Sequence, residues 1–466
     1  MLGGSDFKQT LLTTLSIIRN NNIQHSRSVS IPDKQKLAIF GDIHGDFETL
    51  VKAYDIAKSK KCKYYVFCGD YIDKGPGSIE CFKFVLDLFN TDWNHNIILI
   101  GNHEQFFCWQ MYDELLNMFN DEELMSLTRE VIDNLPIGVE ITFKSSWKRI
   151  FCSHGAYPFI FKPKIIRLHD PYEIVWKHFG LTSLIDQISD ELVYESNTEL
   201  NISPTDYINK IYDDFKYISS LIIESPYKMA LFNKFITKLN ELKQLLTSTN
   251  PDKSKIDSLT NDITKGEWNR HYDCFIKKLK QYREYYLKYE QAKQSIIDLR
   301  NYMLWGDMFI VNDPEIEKVN SWDSFCKFIR DHKTQFFAWE RGEIKRHNLQ
   351  YPISQLKEWM EKSNINFYIR GHQSTMGLCE YVNLKTNEEL SLGILHENIE
   401  VNMNKDSKPI NSVPFTKESL GYITLHTTTS YGKETNGYKI PKFVIINNDK
   451  IESISIIDEQ KINSPR

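Results

Sequence analysis

Five short, mostly apolar runs along this chain each stop at a cluster of small and metal-capable residues. Residues 37–40, 64–68, 97–100, 149–152 and 366–369 have the length and composition of buried strands. Within a residue or two of their ends come Gly41-Asp42-Ile43-His44-Gly45, Gly69-Asp70-Tyr71-Ile72-Asp73-Lys74-Gly75, Gly101-Asn102-His103-Glu104, Ser153-His154-Gly155 and Arg370-Gly371-His372-Gln373. Layered α/β folds collect ligands at the carboxyl ends of their strands, because the sheet holds the converging loops rigid. The pattern therefore predicts an α/β protein with one site assembled from five separated segments.

Between about residues 165 and 300 the strand pattern gives way to helical periodicity, with Lys, Tyr, Glu, Asn and Gln prominent. Phe275, Leu279, Tyr282, Tyr286, Tyr289, Ala292 and Ile296 follow steps of three and four, one stripe on a helix of roughly five to six turns. A second stripe, Met229, Phe232, Ile236, Leu239, Leu242 and Leu246, begins after Ser225-Pro226, where serine caps and proline suits the first turn. The stretch from Thr247 to Pro251 interrupts the pattern, so the two stripes are predicted to face one another in an antiparallel hairpin or small bundle. A tyrosine-rich helix is also suited to docking a protein partner, because tyrosine joins contact area to a hydroxyl. Near the start, Phe7 to Ile18 reads as an amphipathic helix and not a signal peptide, since Asp6, Lys8 and Gln9 break the apolar run and no small-residue cleavage site follows.

Composition narrows the function classes. The 466 residues accommodate a large α/β core and a smaller unit, and 41% hydrophobic content is that of a globular chain. A net charge of −5 gives no general attraction to nucleic acid or acidic membranes, and no apolar run is long enough to span a bilayer. Leu2 stands where N-myristoylation requires glycine. Eight cysteines are scattered without a Cys-x-x-Cys pair, two of them (Cys68 and Cys152) just before polar clusters; they read as reduced, buried thiols of a cytosol-like compartment. None has arginine at the Cys-x5-Arg spacing of a thiolate phosphatase.

The clusters supply Asp42, Asp70, Asn102, His44, His154 and His372, enough for a two-metal site with a shared carboxylate. Such mixed nitrogen and oxygen donors admit Mn, Fe or Zn. Singly, each has a plain structural reading: Asp-x-His-Gly as a turn, Asn102 as a turn former, His154 or His372 as a hydrogen-bonded core histidine. Their joint occurrence, in order and spacing, resembles the calcineurin-like metallophosphoesterases, and within them the phosphoprotein phosphatases, over roughly residues 36–160 and 300–450.

The resemblance implies a β-sandwich flanked by helices. It also implies that Asp42 and His44 hold one ion, that Asp70 bridges two, and that Asn102, His154 and His372 complete the second. A water activated between the cations would attack phosphorus, with His103 as general acid and Asp73 orienting its imidazole and favouring its charged form. Lys74 and Arg341, in Trp339-Glu340-Arg341-Gly342, would grip the phosphate, and Tyr431 would lie on a loop over the site.

Several positions depart from the family pattern. Lys74 replaces the usual arginine and loses its planar fork, and Ile100 stands where an arginine is common. Gly371-His372-Gln373-Ser374 lacks the second histidine of many metallophosphodiesterases, which favours the phosphoprotein phosphatase arrangement. Met303-Leu304-Trp305-Gly306-Asp307 resembles a segment that normally follows Ser-His-Gly closely, so residues 165–300 are expected to be a helical insertion. The expected divisions are an N-terminal extension at 1–35, catalytic segments at 36–164 and 301–460, and a tail at 461–466.

The function expected on this basis is hydrolysis of phosphomonoesters, on phosphoprotein Ser/Thr or Tyr side chains, in the cytosol or, for a secreted bacterial effector, in a host cytosol. Two alternatives stand beside it. Lys74-Gly75-Pro76-Gly77-Ser78-Ile79-Glu80 resembles a segment of dinucleoside polyphosphate hydrolases, and the insertion would serve a binding scaffold.

Overall fold

The computed structural model of the protein describes residues 4–105, 115–117, 119–158, 161–167, 190–196, 203–223, 237–238, 241, 244–245, 252–265, 288–289, 291–293, 295–297, 299–300, 303–304, 306–309, 339–341, 344–346, 350–372, 379–385, 388–391, 412–428, 441–447 and 449–456. In chain order its main elements begin with α1 (Gly4–Asn20), β1 (Ser26–Ile31), β2 (Lys36–Phe40), α2 (Phe47–Ser59), β3 (Cys62–Phe67), α3 (Ser78–Thr91), β4 (Asn96–Ile98), α4 (Asn102–Gln105), α5 (Glu122–Asn134), β5 (Gly138–Phe143) and β6 (Arg149–Ser153). There follow β7 (Phe161–Arg167), β8 (Asp190–Ser196), α6 (Pro204–Ile223), α7 (Lys253–Lys265), β9 (Asp307–Phe309), β10 (Trp339–Arg341), β11 (Ile344–Arg346), β12 (Gln350–Pro352) and α8 (Ile353–Ser363). The chain closes with β13 (Phe367–Arg370), β14 (Cys379–Asn383), β15 (Glu388–Ser391), β16 (Ser412–Pro414), β17 (Gly421–Leu425), β18 (Lys442–Ile446) and β19 (Lys450–Ser455). All five expected strands form, as β2, β3, β4, β6 and β13.

Internal packing divides the chain into one unit of residues 1–161, 196–209 and 299–466 and another of residues 162–195 and 210–298. The first unit is a sandwich of a seven-stranded sheet, β1-β5-β6-β13-β17-β14-β15, and a six-stranded sheet, β16-β19-β18-β2-β3-β4. Alternate residues of both sheets meet in one core: Leu37 and Ile39, Val139 and Ile141, Ile150 and Cys152, Phe367 and Ile369, Val444 and Ile446. This spacing of two sends one face of each strand into the sandwich. The opposite face carries buried residues too, such as Ala38 and Phe40, which is why these strands read as continuous apolar runs. Helix α1 packs against α3 and α5 through its buried Phe7, Leu11, Leu15 and Ile18.

The strand directions place the site. In the six-stranded sheet β2, β3 and β4 run parallel, and in the seven-stranded sheet β6, β13 and β17 do. Their carboxyl ends meet where an isolated parallel bridge joins Asp42 to His426, directly after β2 and β17. Only glycine fits just before that bridge, since a Cβ on Gly41 would lie 1.8 Å from the Leu425 carbonyl oxygen.

The second unit contains the paired strands β7 and β8 as well as helices, so residues 165–300 are not helical throughout. The expected stripe from Met229 to Leu246 lies outside the described residues, and the other is described only at Tyr289, Ala292 and Ile296. Tyr289 stacks on Phe215 of α6, ring centroids 5.7 Å apart, so a helix that the periodicity reading did not single out supplies its partner.

Candidate metal centre

Each strand end delivers its side chains through a tight turn. His44, Asp70, Asp73, Lys74 and His372 all have positive φ, between 49° and 68°. Non-glycine residues rarely adopt this conformation, and such strain persists only where surrounding contacts impose it. Here the contacts are visible. The N–H groups of Ile43 and His44 donate to the Asp70 carbonyl at 2.9 and 2.8 Å, tying the turn after β2 to the turn after β3. Glu104, fully buried, accepts from the backbone N–H groups of Asp70, Tyr71 and Gly101, each at 2.8 Å. One carboxylate thus fixes both the second and third clusters.

The six expected ligand residues converge. His44 Nε2 lies 3.6 Å from Asp42 Oδ2 and 3.5 Å from Asp70 Oδ2. The other Asp70 oxygen, Oδ1, lies 3.2 Å from His154 Nε2. Asn102 Oδ1 sits between His154 Nε2 at 2.7 Å and His372 Nδ1 at 2.9 Å. Two donor groups result, His44 with Asp70 and His103, and Asp70 with His154 and His372, each with its atoms within 4.8 Å of one another. Asp70 belongs to both and turns one oxygen to each. That is the donor set a pair of cations requires, with one carboxylate between them. Secondary contacts orient the rings: His44 Nδ1 is 3.0 Å from the Ile72 carbonyl oxygen, and His154 Nδ1 is 2.9 Å from that of Cys68. This leaves Nε2 of both facing the pocket.

Burial makes the charges interdependent. Asp42, His44 and His154 are wholly inaccessible, and Asp70 nearly so. Burial alone would raise the Asp70 carboxyl, but the neighbouring His154, His103 and His44 outweigh it and hold it well below the usual carboxylate range. Asp42 is likewise held low against burial, chiefly by His426. Burial pushes His44 down, and burial together with the charges of His154 and Arg370 pushes His372 down. His154 goes up, because Asp70 and Asp42 overcome its burial. Burial and the nearby Asp70 push Glu104 up to about 7.

The remaining expected residues divide. His103 Nδ1 is 2.7 Å from Asp73 Oδ2, and its Nε2 is 3.8 Å from Asp70 Oδ2. Lys74 reaches in from an exposed position, its Nζ 3.2 Å from His44 Nε2. Arg341 ends β10, its backbone paired with Ile344; its side chain, and the whole of Tyr431, lie outside what is described. Two buried residues at the site had been given no role from the sequence. Arg370, fully buried, donates from Nε to the Gly371 carbonyl at 2.9 Å. His426, fully buried, lies beside Asp42. Its signal was present, since it follows an apolar run as the other site histidines do. The chain also returns to the site at Met303, whose carbonyl accepts from the Gly155 N–H at 2.6 Å.

Residues 35–208 match the family described as calcineurin-like phosphoesterase. Among solved structures, a protein serine/threonine phosphatase from Saccharomyces cerevisiae aligns with 11% identity and a TM-score of 0.46, over 98% of this chain and 91% of its own. The cold-active protein-tyrosine phosphatase of a psychrophilic Shewanella aligns with 12% identity and a TM-score of 0.34, over 92% and 82%. A metallophosphoesterase from Sphaerobacter thermophilus aligns with 18% identity and a TM-score of 0.18, over 28% and 52%. The stretch that matches this family's model, residues 35–208, carries four of the five converging clusters.

Proposed function

We propose that this protein is a dinuclear-metal phosphomonoesterase whose substrates are phosphoproteins. The observation that carries the reading is Asp70, which offers one oxygen to each of two donor groups while His103, anchored by Asp73, stands over the same pocket. Asp42, His44 and Asp70 would hold one cation, and Asp70, Asn102, His154 and His372 the other. The bound pair supplies an activated water as nucleophile and neutralises the phosphoryl oxygens. Mn, Fe and Zn all suit these donors.

The chain's own residues do the rest. Lys74 binds a phosphoryl oxygen, and as a lysine it meets that oxygen as a point charge without a second parallel hydrogen bond. Asp73 accepts a hydrogen bond from the Nδ1–H of His103, which fixes the ring with Nε2 toward the leaving oxygen. His103 protonates that oxygen as the P–O bond breaks and regains its proton from solvent. No side chain of the set is needed as a covalent nucleophile.

The test is a substrate comparison on the Mn-loaded, full-length chain. Phosphoserine, phosphothreonine and phosphotyrosine peptides, p-nitrophenyl phosphate and diadenosine tetraphosphate are assayed side by side. Efficient release of phosphate from the peptides is expected. Cleavage of the dinucleotide alone would transfer the assignment to polyphosphate hydrolysis, and metal-loaded protein inert toward all of them from pH 5 to 9 would favour a scaffold.

A further inference from the structure

We infer that His426 is a positioning residue for Asp42, an inference that rests on the two-cation reading above. His426 is the first residue after β17 and is fully buried. Its Nδ1 lies 3.2 Å from Asp42 Oδ2, the same oxygen that faces His44 Nε2 at 3.6 Å. Asp42 Oδ1 accepts from the His372 N–H at 2.9 Å. Asp42 thus meets a backbone N–H at one oxygen and a buried imidazole nitrogen, in close charge contact, at the other. A carboxylate bounded at one oxygen can still swing; with neighbours packed at both, its plane is restricted before a cation arrives.

The backbone around His426 is built to keep the ring in place. The Thr427 N–H donates to the Asp42 carbonyl at 2.9 Å, and Thr427 Oγ1 accepts from the Gly41 N–H at 2.9 Å while donating to the Lys442 carbonyl at 2.8 Å. The Lys442 N–H donates to the His426 carbonyl at 3.1 Å. Three chain segments, after β2, after β17 and at the start of β18, are stitched at this point. A histidine that only filled the core would not need a carboxylate as neighbour, and a residue bridged to Asp42 by backbone, with its ring set against the carboxylate, transmits its position directly to the ligand.

The test compares three substitutions in the full-length protein loaded with Mn. Asparagine carries its amide nitrogen on the same carbon as histidine carries Nδ1, so His426→Asn keeps a donor there; His426→Leu removes it, and His426→Gln moves it one bond farther. In His426→Leu the dissociation constant of the more weakly held Mn is expected to rise about 10- to 100-fold, as measured by metal titration. In His426→Asn it stays within about threefold of the original, with an unchanged Mn electron paramagnetic resonance spectrum. Should the leucine variant not fold, His426→Gln takes its place and is expected to bind Mn about tenfold more weakly. Undiminished affinity in the leucine or glutamine variant would overturn the inference, as would an asparagine variant as weak as leucine. An altered spectrum in His426→Asn would overturn it in favour of direct ligation. An unsubstituted protein that failed to hold two Mn would instead overturn the two-cation reading beneath it.

Discussion

At the scale of single residues, the proposed mechanism separates side chains that would hold cations from the one that would move a proton. His103 reaches Asp73 through Nδ1 at 2.7 Å and stands 3.8 Å from the shared carboxylate through Nε2. His103→Asn is therefore expected to retain both metals while cutting turnover of a phosphoserine peptide by about a hundredfold or more. The loss should be much smaller for p-nitrophenyl phosphate, whose leaving group departs without a proton. Equal losses on both substrates would show that His103 acts through structure and not as a general acid.

At the scale of elements, the decisive feature is how closely two strand ends approach. β2 and β17 belong to different sheets, and the sandwich pinches shut between them where Gly41 meets Leu425. Gly41→Ala puts a methyl group 1.8 Å from a carbonyl oxygen, a clash that no side-chain rotation relieves. Chemical denaturation should show a loss of roughly 1–3 kcal/mol, accompanied by weaker metal binding because Asp42 follows directly. Unchanged stability and metal content would mean the two ends are not in contact. By contrast, α1 fixes itself to α3 and α5 through an apolar stripe well removed from the clusters in sequence, and its role is packing.

At the scale of the whole molecule, stability should depend on pH and on metal. His25 is half-buried, and burial followed by the charge of Arg300 pushes its imidazole down to about 4. The unfolded chain takes up that proton near its ordinary value of 6.5, so the stability linked to His25 is fully present above that pH and is lost as pH falls toward 4. The total is up to about 3 kcal/mol. Denaturation curves at pH 7 and pH 5 should differ less in His25→Gln than in the original protein, and identical pH dependence would remove His25 from the account. Metal removal acts on the same quantity through mass action, since a ligand present at a hundred times its dissociation constant stabilises by about 2.7 kcal/mol. A chelator should lower the melting temperature, and added Mn should restore it; a melting temperature indifferent to both would contradict a metal centre. Among the described residues no helix is long and apolar enough to cross a membrane.

The amino-acid sequence by itself determined the strands that carry the site and the chemistry at their ends. Both are local properties: a buried strand must be apolar on both faces, and a turn beside a ligand tolerates few residue types. The converging side chains, from Asp42 to His372, could be named on that basis. What the sequence could not disclose is which distant groups support them, because support is a matter of contact between segments that periodicity does not connect. Glu104 beneath two turns, Arg370 buried beside His372, His426 against Asp42 and Phe215 under Tyr289 are all pairings of this kind. Nor does helical periodicity between residues 165 and 300 announce the β7–β8 pair, since a strand gains its hydrogen bonds only from a neighbour brought to it by the fold. Tertiary structure decided that two parallel trios of strands, one in each sheet, end at the same place, so that six residues scattered over more than three hundred positions converge on one site.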